Sequence, residues 1–168
     1  MSPIMLQSFA PVATPATQIL VLGSMPGAQS LAEEEYYAHP RNGFWPIMGA
    51  LFGASPALAY TQRLEILCAN GIGLWDVIGS CQRASSLDSA IEEKTIRVND
   101  LQDFIDHHQR IRRICFNGAK AEKSFHRYLP PLPENRKIEL IRLPSTSPAN
   151  ARLSYNQKLD IWRRALLR

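Results

Sequence analysis

Four short apolar runs, at residues 19–22, 72–77, 111–116 and 138–143, show no clean alternation of apolar and polar side chains. A strand with one wet face alternates with period two, so unbroken apolar runs of this length predict strands covered on both sides. The segments between them carry the helical period instead. Residues 56–69 hold Leu58, Leu64, Ile66 and Leu67 and stop at Asn70-Gly71, residues 44–52 open on Phe44 and Trp45, and residues 99–108 place Leu101, Phe104 and Ile105 at helical spacing. Residues 119–129 offer Ala121, Phe125 and Leu129; residues 155–168 put Tyr155, Leu159, Trp162 and Leu166 on one stripe, with Lys158, Arg164 and Arg168 largely off it. Strands that alternate with helices are joined by crossovers, which predicts an α/β fold: a parallel sheet inside a three-layer α/β/α sandwich.

A chain of 168 residues buries on the order of 70% of its unfolded surface, enough for one core without a disulfide or metal staple. No repeat or long linker divides it, so residues 1–168 are expected to form a single domain, with 1–17, rich in Pro and Thr, as an extended leader. No run approaches the ~18 apolar residues of a membrane span, and the N-terminus lacks the basic and apolar regions of a signal peptide. Cys68, Cys81 and Cys115 form no CxxC pair, which predicts buried thiols in a reducing cytoplasm. A net charge of +4 suits a polyanionic partner.

In a parallel sheet ligands bind beyond the carboxyl ends of the strands, which directs attention to the loops that follow them. The first reads Gly23-Ser24-Met25-Pro26-Gly27, without the GK[ST] ending of a Walker loop or the spacing of a dinucleotide motif. Downstream comes Tyr36-Tyr37-Ala38-His39-Pro40-Arg41-Asn42-Gly43-Phe44-Trp45-Pro46, a dense run of aromatic, imidazole, guanidinium and amide groups that suit stacking and planar polar edges. Phe44 and Trp45 fit equally well as core residues at the start of a helix. The last loop, Ser145-Thr146-Ser147-Pro148-Ala149-Asn150, sets three hydroxyls before a proline, a donor-rich turn of the kind that holds phosphates or caps a helix.

GSMPG, HPRNGFW, LWDVI, FNG and LPSTSPANA, in that order, resemble the uracil-DNA glycosylase superfamily, and within it the hypoxanthine-DNA (deoxyinosine) glycosylase branch, related to the mismatch-specific uracil/thymine glycosylases. The resemblance spans roughly residues 18 to 165. It implies a four-stranded parallel sheet with a pocket for a base flipped out of single- or double-stranded DNA, and a monofunctional enzyme of base excision repair acting on hypoxanthine, uracil or xanthine. Asn42 would hold the attacking water, and His39 would assist. Ser24, Met25, Phe44, Trp45, Asp76 and Asn117 would bind the base. Ser145, Thr146, Ser147 and Arg152 would hold phosphates, and Leu153 would wedge into the gap left by the base.

Each assignment has a plainer competitor. Asp76 could cap a helix or pair with Arg83, Asn117 could be a left-handed turn residue, and Ser86 and Asp88 could be caps. No metal is expected, since the chain has no C-x₂-C pair and no HExxH, and no cofactor is implied. No lysine stands in the matched loops, so a Schiff-base lyase step lacks a nucleophile. The expected enzyme is a monomer. Relatives often carry Asp or Asn in the first loop, where this chain has Ser24 and Met25, which leaves open a catalytically silent DNA-binding module of the same fold. A small-molecule α/β hydrolase ranks last, without a G-x-S-x-G elbow.

Overall fold

The computed structural model describes residues 4–167; residues 1–3 of the expected leader and Arg168 at the end of the expected last helix lie outside the described residues. In chain order the elements are β1 (Leu6–Gln7), β2 (Ile19–Gly23), α1 (Ala28–Glu33), α2 (Phe44–Phe52), α3 (Tyr60–Ala69), β3 (Ile72–Asp76) and β4 (Ile78–Cys81). They continue with β5 (Arg97–Val98), α4 (Leu101–His107), β6 (Arg113–Asn117), α5 (Ala119–Tyr128), β7 (Glu139–Leu143) and α6 (Tyr155–Leu166).

The central sheet has the order β3-β2-β6-β7, and every pair in it is parallel. Alternate residues of β2 serve opposite cores. Ile19 and Val21 pack with α2, α3 and α6 through Phe44, Met48, Leu67 and Trp162, whereas Leu20 and Leu22 pack with α4 and α5 through Leu101, Phe104 and Phe125. This is the three-layer sandwich predicted from the unbroken apolar runs. The run at 138–143 is the exception, because β7 is an edge strand whose Glu139, Leu140 and Arg142 are exposed.

A second, antiparallel sheet of order β1-β4-β5 was not anticipated; two of its strands are two residues long. The leader is strapped down at both sheets: Leu6 pairs with Cys81 of β4, while at β3 of the central sheet Val12 bridges Leu74 and the Phe9 carbonyl accepts the Trp75 indole N–H at 2.9 Å. Some helix boundaries shift from those expected. The helix expected from residue 99 starts at Leu101 with Asp100 as its cap, while the Asn99 amide donates to the Asp76 carbonyl at 2.8 Å. The helix expected from residue 56 starts at Tyr60, after a turn from Ser55 to Leu58. On α6 the stripe is rotated from the expected one: Tyr155 is exposed and Lys158 is buried, its ammonium donating to the Asn150 carbonyl at 2.7 Å. Cys81 and Cys115 are buried thiols, whereas Cys68 is only half-buried.

The chain leaves β2 toward β3 on one side and later returns to build β6 and β7 on the other. Connections therefore diverge from the carboxyl ends of β2 and β6, and a crevice opens there.

Candidate active site

A cavity of about 500 Å³ occupies that crevice. Its floor is made by strand ends, Gly23 of β2, Asp76 of β3 and Asn117 of β6, and its walls by the segments 24–30, 36–42, 86–89 and 145–150. The volume lies in the range of small-molecule sites, and the mixed lining suits a polar heterocycle.

One wall is clamped from behind by Thr146. Its N–H donates to Asn117 Oδ1 at 2.9 Å, its hydroxyl accepts from Asn117 Nδ2 at 3.0 Å, and its carbonyl accepts from the Gly43 N–H at 2.9 Å. Thr146 is 2% exposed, so it joins three loops rather than offering its hydroxyl to a phosphate. Asn117 lines the cavity, yet both ends of its amide are committed to this joint. The left-handed residue after β6 is Gly118, at φ 96°, not Asn117. Ser145 and Ser147 accept the N–H groups of Ser147 and Ala149, which shapes the turn around the cavity.

Asn42 stands at the rim. Its Oδ1 accepts the Phe44 N–H at 2.9 Å, starting α2, while its Nδ2 donates to no described residue. His39, also at the rim, accepts the Arg41 N–H on Nδ1 at 3.1 Å, which leaves Nε2 as the N–H end of a neutral ring.

Phe44 and Trp45 do not face the cavity. They are 0% and 4% exposed: the Phe44 ring lies 4.0 Å from that of Tyr37 and 6.0 Å from that of Trp162, and the Trp45 indole donates to the Tyr36 carbonyl at 2.8 Å. The first turn of α2 points into the core, so the competing packing role holds for both. The aromatic lining comes instead from Tyr36 and Tyr37, which open the same aromatic run in the sequence but carry no individual role there. Tyr37 has φ 57°, a left-handed backbone costly for a bulky residue and characteristic of functional sites.

Asp76 is 3% exposed, and its Oδ2 has no hydrogen-bond partner among the described residues. It forms neither the helix cap nor the Arg83 ion pair that were its alternatives; Arg83 instead donates to the Pro26 carbonyl at 2.7 Å. Burial, with the Asp88 charge adding to it and Arg83 opposing it, pushes the Asp76 carboxyl up to about 7. The buried Tyr37 hydroxyl likewise has no hydrogen-bond partner. Burial, reinforced by Asp76, raises its pKa above the ordinary phenol range.

Ser24 donates its hydroxyl to Asp88 at 2.5 Å, and Ser86 accepts the Ala28 N–H at 2.9 Å. Asp88 and Ser86 thus secure the first loop and line the cavity beside Ser24 and Met25. Arg152 and Leu153 lie outside it, on a neighbouring concavity of about 580 Å³ with Gly118, Ala119 and Arg142. Ser145 and Asn150 border both hollows. Among the described residues no group of three or more His, Cys, Asp or Glu gathers to hold a metal, and no helix is long and apolar enough to cross a membrane.

Comparison with known proteins agrees with this geometry. Residues 10–166 match the model of the uracil DNA glycosylase superfamily. Two curated proteins named hypoxanthine DNA glycosylase are similar: one from Methanosarcina acetivorans is 37% identical over 92% of this chain and 94% of its own, and one from Methanosarcina barkeri is 35% identical over 96% and 98%. The solution NMR structure of a candidate uracil DNA glycosylase from Methanosarcina acetivorans superposes with a TM-score of 0.77 at 33% identity, over 98% of this chain and 100% of that one. With a family match over nearly its whole length and a polar cavity at the carboxyl ends of a four-stranded parallel sheet, the chain belongs to the uracil DNA glycosylase superfamily.

Proposed function

We propose that this protein is a monofunctional DNA glycosylase that excises deaminated bases, hypoxanthine ahead of uracil and xanthine, from single- or double-stranded DNA in base excision repair. The observation that carries the reading is the cavity itself, with two buried and unpartnered polar groups at its floor and Asn42 at its rim. Such groups cost free energy in the empty protein and are matched when a polar heterocycle enters. The names of the two curated relatives favour hypoxanthine.

A base held in the stack cannot reach this depth, so the nucleotide must flip, which costs a few kcal/mol and is easiest at a damaged or mismatched pair. The bond between C1′ and the base nitrogen then breaks, with its electron pair leaving on the base. Water adds to C1′, and its proton passes to the departing base or to solvent. Asn42 is neutral and cannot act as a strong base, which favours a dissociative path with an oxocarbenium-like sugar. The Phe44 N–H fixes its amide plane, leaving Nδ2 and one lone pair of Oδ1 to hold the water. His39 Nε2–H and the Ser24 and Met25 segment supply donors toward the leaving base, and such donors are worth roughly 10²- to 10³-fold each. Ser145, Ser147, Arg152 and Leu153 follow the strand from the cavity to the neighbouring concavity, with Arg152 toward phosphates and Leu153 as the wedge. The protein works as a monomeric single domain without a cofactor, in a cytoplasm that keeps its free cysteines reduced.

The test is base release from duplexes carrying one deoxyinosine, deoxyuridine or deoxyxanthosine, with abasic sites cleaved by alkali, for wild type and Asn42→Ala. Hypoxanthine release that falls at least a hundredfold in the variant, with DNA affinity within a few-fold, is the expected result. Ser24 and Met25, in place of Asp or Asn, favour a second reading, a silent binding module. Salt-dependent DNA binding with no release from any substrate would select it.

A further inference from the structure

We propose that Tyr37 and Asp76 form a paired donor and acceptor that reads the lactam edge of the flipped base, making Tyr37 a specificity-determining residue. The inference rests on the glycosylase reading and deepens it. A Cβ placed on Gly23 would sit 2.5 Å from Asp76 Oδ1 and 3.2 Å from the Tyr37 hydroxyl, so both groups converge on one point of the cavity floor. Only a glycine leaves room for them there. The Tyr37 hydroxyl and Asp76 Oδ2 are buried without hydrogen-bond partners, and both residues line the cavity. The Asn117 amide beside the phenol works against the effect of burial, but makes no hydrogen bond of ordinary geometry to it.

Two further features hold Tyr37 for this role. Its left-handed backbone, at φ 57°, is a conformation that persists only where the surroundings enforce it. Its ring packs on Phe44 at 4.0 Å, tilted by 30°, so the core fixes where the hydroxyl stands. The ring is thus tied to the core while its hydroxyl reaches the floor.

An ionised carboxylate only accepts hydrogen bonds, whereas a phenol can donate one. Side by side they complement an N–H next to a C=O. Deamination creates that edge: adenine and cytosine present a ring nitrogen acceptor beside an amino donor, and hypoxanthine and uracil present the reverse. Against an amino base the carboxylate would meet a lone pair and the hydroxyl a donor. Two buried polar groups would be left unmatched, and a site built on hydrogen bonds rejects such a partner far more strongly than an apolar pocket does. Guanine carries the same lactam edge with an added 2-amino group, so the pair separates deaminated bases from adenine and cytosine and not from guanine.

The experiment compares single-turnover release of hypoxanthine from deoxyinosine with release of purine from deoxynebularine, which lacks both the ring N–H and the carbonyl. Wild type should favour deoxyinosine. Tyr37→Phe, which keeps the ring, should shrink that preference by roughly ten- to a hundredfold, chiefly by slowing deoxyinosine. Binding to an abasic duplex, which has no base to read, should stay within about twofold of wild type and reports folding. Asp76→Leu, a near-isostere without an acceptor, is the second variant and should shrink the same ratio. Unchanged ratios in both variants, with abasic binding intact, would overturn the pair while leaving the glycosylase in place. Absence of any release by wild type would overturn the glycosylase reading and the pair with it.

Discussion

The role proposed for Asp76 would set function against stability. A carboxyl whose pKa rises from 3.8 to about 7 on folding binds its proton more tightly in the native state. Its contribution favours folding at low pH and is lost as pH rises through that window, reaching a cost on the order of 4 kcal/mol above it. Asp76→Asn is therefore expected to raise the urea midpoint at pH 8.5 and to leave it nearly unchanged at pH 4. In wild type, hypoxanthine release should fall as pH drops below about 7, because the acceptor form disappears. Denaturation curves and a pH–rate profile check both. Asp76 came into view through the resemblance of the LWDVI motif to the family, and Asn42 through the same resemblance and its place in a loop dense with polar groups. Tyr37 stands in the same aromatic run, but its particular role was not legible, since a hydroxyl's lack of partners and a left-handed φ exist only in three dimensions. Phe44 and Trp45 misled for the opposite reason: aromatic rings suit a base and a core equally, and only burial decides.

At the scale of elements, the two ends of β6 do different work. Its last residue, Asn117, belongs to the cavity floor, and its first, Arg113, is a buried anchor far from it. Arg113 Nε donates to Glu139 at 2.9 Å, across to the first residue of β7, and its Nη1 donates to the Ala165 carbonyl of α6 at 2.6 Å. Removing one partner of a buried ion leaves an uncompensated charge, a loss of about 3–5 kcal/mol when both partners are dry. Glu139 is about half exposed, so Glu139→Ala should cost less, about 1–2 kcal/mol in chemical denaturation, with release kinetics unaltered. The parallel sheet and its crossover helices were readable because periodicity reports burial directly. The β1-β4-β5 sheet was not: two residues make no pattern, and tertiary pairing alone defines such strands. The exposure of β7 was also hidden, since Leu140 reads as a core residue but sits at a sheet edge, 37% exposed.

Across the whole molecule, the net charge of +4 is modest, and any DNA affinity must come from where cations stand more than from their number. Arg142 and Arg152 flank the concavity beside the base cavity. Arg152→Ala should weaken DNA binding about equally for damaged and undamaged duplexes, and lower the slope of log affinity against log salt by about 1. Fluorescence anisotropy at several salt concentrations measures it. The two walls of the cavity differ in how they are held. Through Thr146, segments separated by a hundred residues share one buried joint, whereas residues 86–89 are tied to the opposite loop mainly by the Ser24–Asp88 and Ala28–Ser86 bonds. The clamped side thus acts as an anvil that loses little conformational entropy when a nucleotide arrives. Under the proposed function, accommodation of purines and pyrimidines of different width would fall to the other wall, and the range of lesions accepted could be retuned there without dismantling the joint.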